Sequence, residues 1–266
     1  MVVLLNTNYE QMIINIDISV AQPTRIRIVL EDNDNPNTVL TNRFRDIETQ
    51  DTILVRLPIC GKTSKLTIYD ENVGVGNGDT TFTVTDISKS HLKKRLDVID
   101  LTSPKISSFV NFCEQFCFNA GWLDTQDINS DKCYKSEDGQ YRIQYVEAII
   151  DEKGNDVNTP ACIYEDGLIQ VDARYFRSST VPMRVAILCH EFAHIYLNEN
   201  PKDESEADIR GLSIYLSLGY PRVEAFEAWI DCFWEAETPE NQQRYMIIEK
   251  FISDFENRNF IAYGSF

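Results

Sequence analysis

A chain of 266 residues with 43% hydrophobic content is long enough for one large or two ordinary globular domains, each with its own core. A formal net charge of -17 and a pI near 4.6 exclude nucleic acid and anionic membrane as natural direct partners, and no stretch approaches the apolar run of a membrane span. Seven cysteines at irregular spacing are expected as reduced thiols of a cytoplasmic protein, and Met1 to Asn8 lacks the basic start and apolar core of a secretory signal.

Along the first hundred residues, apolar and polar residues alternate in runs rich in β-formers: Met12 to Val20, Thr24 to Leu30, Thr38 to Phe44, Thr52 to Leu57, Lys65 to Tyr69 and Thr80 to Thr85. Asn33-Asp34-Asn35-Pro36 and Gly74-Val75-Gly76-Asn77-Gly78-Asp79 punctuate them. About six or seven short strands at this spacing predict an all-β sandwich over residues 1–100. The glycine-rich segment lacks the Lys-Ser/Thr ending and following helix of a phosphate loop, so it reads as a hairpin connection. His91-Leu92-Lys93-Lys94-Arg95 is a basic cluster just before the predicted boundary at Leu101 to Pro104, and reads as a solvated connector.

From Pro104 the helical period takes over. The first helix, Ile106 to Asn119, carries Cys113 and Cys117 as core thiols. Tyr141 to Ile150 follows, then Ala161 to Tyr164 and Leu168 to Asp172 joined across Asp166-Gly167, a strong hairpin turn. Ala173 to Thr180 leads into a helix opened by Pro182, and further helices are expected over Asp203 to Leu218, Arg222 to Trp234 and Pro239 to Phe255. Residues 104–266 are therefore expected to form an α+β domain that folds by itself.

The densest chemistry lies in His190-Glu191-Phe192-Ala193-His194. Positions i and i+4 of a helix share one face, so both imidazoles can reach one metal ion while Glu191 points at the water that the ion binds. The flanks, Val185 to Leu188 and Phe192 to Leu197, are apolar nearly all round, and charged or polar rings buried there cost free energy unless they have a partner. The only other histidine is the remote His91, so the third ligand is expected to be a carboxylate or thiolate, a His2Glu site. Cys189 points about 100° away from His190 and is expected in the core. On the next helix one stripe holds Glu204, Asp208, Gly211, Leu212 and Tyr215, mixing two acids with apolar residues. The other, Glu206, Arg210, Ser213 and Ser217, is wholly polar and reads as the solvent face, with Glu206 and Arg210 as an ion pair. Glu204 is thus the expected third ligand, and Asp208 an acceptor that orients a ligating histidine.

The two histidines with Glu191, followed by Glu204-Ser205-Glu206-Ala207-Asp208, resemble the gluzincin metallopeptidases, whose H-E-x-x-H helix precedes a helix carrying E-x-x-x-D. The resemblance covers roughly residues 140–236 and implies one zinc per chain on His190, His194 and Glu204, with Glu191 as general base and Asp208 supporting a histidine. Nine residues separate His194 from Glu204, fewer than in many gluzincins. In this respect the chain is similar to compact zincin domains of bacteriophage and prophage origin.

The implied protein has an amino-terminal β-sandwich followed by a zincin-like peptidase domain that cuts a protein or peptide substrate. Leu168 to Asp172 is the expected edge strand for that substrate, and the group stabilising the oxyanion is left open among Tyr175, Tyr215, Tyr220 and Arg210. The sandwich is expected to dock to a larger protein assembly. The alternative is a virion structural or assembly protein with little or no catalytic activity.

Overall fold

A computed structural model of the chain describes residues 1–75, 81–95, 98–120, 133–151, 153–234 and 238–263. Seven strands occupy the first half: β1 (Val2–Asn6), β2 (Met12–Val20), β3 (Thr24–Asp32), β4 (Val39–Ile47), β5 (Gln50–Leu57), β6 (Thr63–Asp70) and β7 (Phe82–His91). They form two antiparallel sheets, in the orders β1-β6-β3-β4 and β5-β2-β7. The expected alternation produces them. Ile14, Ile16 and Ile18 of β2 and Ile26, Ile28 and Leu30 of β3 are buried, while Arg25, just before Ile26, faces out, so both sheets feed one core.

Two strand assignments differ from the sequence reading. β1 gave no separate signal, because it is a five-residue edge strand with Val2 and Leu4 exposed beside buried Leu5. β7 runs on through His91, since its polar residues lie on an exposed edge and still pair with β2, Ser90 opposite Ile13 and His91 opposite Met12. Gly76 to Thr80, within the glycine-rich segment and the next expected strand, lie outside the described residues.

The second half comprises α1 (Pro104–Asn119), β8 (Tyr134–Lys135), β9 (Arg142–Val146), β10 (Ala161–Ile163), β11 (Leu168–Asp172), α2 (Ala173–Ser178), α3 (Val181–Tyr196), α4 (Glu204–Ser217), α5 (Arg222–Trp234) and α6 (Pro239–Tyr263). The small sheet has the order β10-β11-β9-β8, with β11 parallel to β9 and antiparallel to β10. Leu168 to Asp172 is therefore an interior strand, not the expected edge. That edge belongs to β10.

α3 is the central helix of this half. Thr180 caps it by accepting from the Met183 N–H, and Val185, Ala186, Leu188, Cys189, Phe192 and Ala193 are all buried. Phe109 of α1 stacks on Phe192 with ring centroids 4.0 Å apart. Arg184, wholly buried in the same helix, donates from Nε to the Phe176 carbonyl (2.6 Å) and from Nη1 to that of Cys117 (2.8 Å). Both carbonyls lie near helix C-termini, whose dipoles favour a cation, although burial still pulls the guanidinium down to about 10. α4 buries Asp208, Gly211, Leu212 and Tyr215 as expected, but the Glu204 side chain is 42% exposed against 23% for Glu206, and Ser217 also departs from the expected face. That residue is buried, because the basic connector covers it and the Arg95 N–H donates to the Ser217 carbonyl at 2.8 Å.

Polar bonds cross between the two halves. The buried Glu224 of α5 accepts from Thr41 of β4 and from Thr180 at the start of α3, each at 2.7 Å. Thr38 Oγ1 donates to the Phe118 carbonyl at 2.9 Å, and buried apolar residues of both halves belong to one continuous core. Replacing Glu224 by alanine leaves two buried hydroxyls without their acceptor. Glu224→Ala is expected to cost about 3 kcal/mol, read as a lowered thermal midpoint. An unchanged midpoint would show that this junction contributes nothing.

Candidate metal centre

The site begins with a close approach of two helices. A Cβ built on Gly211 of α4 would lie 2.8 Å from the backbone nitrogen of His190 and 2.9 Å from the carbonyl carbon of Cys189. No side chain fits there, so α4 lies directly against α3 at the first histidine of the motif. Asp203 caps α4 by accepting from the Glu206 N–H at 2.9 Å, which fixes the first turn that carries Glu204. One turn further in, Asp208 is wholly buried behind His190.

The two imidazoles are held from behind. His194 Nδ1 lies 2.8 Å from the Pro201 carbonyl oxygen, an acceptor, which makes Nδ1 the donor. His190 Nδ1 lies 3.0 Å from Asp208 Oδ1, within ion-pair reach although off the line of a well-formed hydrogen bond. With both Nδ1 atoms turned to acceptors, the two Nε2 atoms face each other at 3.0 Å. Two lone pairs that close repel, so the pair is satisfied either by a proton on one Nε2 that donates to the other or by a cation beside both. Glu204 supplies the next oxygens, 3.4 Å from His190 Nε2 and 3.6 Å from His194 Nε2.

Donors bound to one tetrahedral ion at about 2.0–2.2 Å stand about 3.3–3.6 Å apart, close to the separations seen here. His190, His194 and Glu204 are thus spaced as in an H-E-x-x-H metal site, their ligand atoms within 4.8 Å of one another, and this cluster is able to hold a metal ion.

The electrostatics agree. Burial disfavours a charged His190, yet the carboxylates of Asp208, Glu204 and Glu191 outweigh it and push the imidazole up to about 10. Burial likewise opposes the Asp208 anion, but His190 and Arg244 hold it down at about 2. Burial raises the proton affinity of Glu191, whose Oε2 accepts from the Ile163 N–H of β10 at 2.9 Å. The cluster therefore collects positive charge at the imidazole pair.

A cavity of about 950 Å³ opens over the pair, lined by β10 and the residues before it, by α3, by the turn at Asn200 to Lys202, and by α5 and α6. None of the four candidates for the oxyanion lines it. Tyr215 and Tyr220 are buried and bond to Pro221 and Glu114, and Arg210 pairs with Glu206 at 3.2 Å as the spacing predicted. His91 is exposed at the end of β7 and Cys189 lies in the core. Six cysteines are free thiols among the described residues.

Two residues of the site were not anticipated. Trp229 of α5 donates from Nε1 to Asp208 Oδ1 at 2.7 Å, and Arg244 of α6 grips the same carboxylate with Nε and Nη2 at 2.8 and 3.0 Å. Both come from helices beyond the motif, where spacing carries no signal of approach. Comparison of the chain with protein-family models, with curated proteins and with solved structures finds no match.

Two outcomes are expected. Gly211→Ala forces α4 away from α3 at His190 and separates the acids from the imidazoles, so metal affinity measured by chelator competition should fall at least about tenfold. Equal affinity would mean that the helix contact does not set the site. In chelated protein the raised His190 contributes stability that is complete below its ordinary value of 6.5 and is lost as pH rises through about 10. The thermal midpoint of chelated protein should decline across that window, and less so in His190→Asn. Identical declines in both would contradict the assignment.

Proposed function

We propose that the chain is a zinc-dependent endopeptidase of the gluzincin type, with one zinc held by His190, His194 and Glu204. The observation that carries the reading is the facing Nε2 pair, 3.0 Å apart, with each Nδ1 already turned to an acceptor and Glu191 beside it. Two imidazoles and one carboxylate are the donor set of a catalytic zinc site with an open position. Bound there, zinc would supply Lewis acidity toward the scissile carbonyl and the attacking water.

Glu191 accepts the proton of that water and returns it to the leaving amine. Its burial beside the cavity raises its proton affinity toward that of an effective base, and the Ile163 N–H keeps its carboxylate oriented. Asp208 and the Pro201 carbonyl hold the imidazoles in the tautomer that presents Nε2. An extended peptide lies along β10, which lines the cavity and is the outer strand of its sheet among the described residues, using the edge groups other than the Ile163 N–H already given to Glu191. The residues lining the cavity all lie beyond position 156, so the amino-terminal half is read as a docking element toward a larger protein assembly.

Two glutamates separate binding from chemistry. Purified wild type should carry about one zinc per chain by elemental analysis. Glu204→Ala should lose the metal, whereas Glu191→Gln should keep it and lose hydrolysis of an unstructured protein substrate by at least about a hundredfold. Glu206→Ala, which removes the ion pair with Arg210 and one bond from the Glu199 N–H but no atom of the cluster, should change neither. Zinc-loaded wild type without hydrolysis of any tested polypeptide would point instead to a virion structural or assembly role.

A further inference from the structure

We propose that Arg244 is a positioning residue of the metal centre, a guanidinium on the last described helix that holds Asp208 and Glu204 together and thereby sets metal affinity. The inference rests on the zinc reading given above. Arg244 meets Asp208 through two parallel contacts, Nε to Oδ2 at 2.8 Å and Nη2 to Oδ1 at 3.0 Å, and its Nη2 also lies 3.1 Å from Glu204 Oε2. One planar group thus contacts the acid behind one histidine and the acid that completes the donor set. The fork fixes the Asp208 carboxylate in angle as well as distance, and the same Nη2 brings Glu204 within ion-pair reach.

Charge balance gives the same assignment. Glu191, Glu204 and Asp208 bring three carboxylates to the imidazole pair, and a divalent ion neutralises two. Arg244 neutralises the third in a place where Asp208 is wholly buried and the arginine side chain is only 13% exposed. Trp229 adds a neutral donor to Asp208 Oδ1 but no charge, so it cannot replace Arg244 in this role.

A group that only packed α6 against α4 would be indifferent to whether a cation or a fork stood at this position. Lysine preserves the charge and loses the fork, while methionine keeps the apolar stem and loses both. The experiment uses the full chain as wild type, Arg244→Lys and Arg244→Met, with zinc affinity read by competition against a chromogenic chelator. Thermal unfolding of each chelated protein reports the fold separately.

Arg244→Met is expected to bind zinc about 10- to 100-fold more weakly, the range for removing an outer partner of a ligand, and Arg244→Lys to recover part of that loss. If the methionine variant does not fold, the lysine variant decides: weakened binding with cooperative unfolding supports the role, and wild-type affinity overturns it. Zinc binding by Arg244→Met equal to wild type overturns it directly, and full recovery by lysine overturns the fork. Absence of zinc binding in wild type overturns the zinc reading and this inference together, whereas binding in wild type leaves the arginine result to be judged alone.

Discussion

Charge taken out of water is the constraint around which the carboxy-terminal half is arranged. Glu191, His194 and Asp208 are buried, and each would be costly to desolvate alone. Their cost is met by mutual arrangement. Asp208 accepts from Trp229 and Arg244 and lies against His190, while Glu191 accepts a backbone N–H from β10. Remove the positive charge at the imidazole pair and the remaining acids repel one another at short range. A proton on His190 or a metal ion can supply that charge.

Holding such groups in place requires helices that do not drift. Gly211 permits backbone contact between α3 and α4, while Arg184 fills the interior beside α3 by bonding to carbonyls of α1 and α2. The start of α3 is tied in turn to the amino-terminal sheets, because Glu224 bridges Thr180 and Thr41. The sheets thus contribute to the orientation of α3 without contributing a residue to the cavity. This is one physical reason for the two halves to share a core while differing in texture.

What could be read from the sequence was whatever repeats within one element. The i, i+4 histidines, the acidic stripe of α4 and the β2 alternation from Met12 to Val20 were legible because each is a local period. Ser217 defeated the same reasoning, since the connector that buries it lies far away in sequence. Trp229 and Arg244 were invisible for a related cause. A tryptophan or arginine on an amphipathic helix has no sequence mark that distinguishes a partner of a buried acid from an ordinary surface or core residue. The short edge strand β1 left too few residues to show a period.

The misassigned edge strand shows how topology alters chemistry. Leu168 to Asp172 feeds the motif helix through α2, and proximity in sequence made it the natural wall of the site. Its parallel pairing with β9 instead places it inside the sheet, with the hairpin partner Ala161 to Ile163 on the outside. In that position β10 does two things at once. Its Ile163 N–H fixes the Glu191 carboxylate, and its residues line the cavity above the imidazoles. On the proposed reading, a peptide bound along β10 would lie against the strand that orients Glu191, which would connect substrate binding to the orientation of that carboxylate through one short strand.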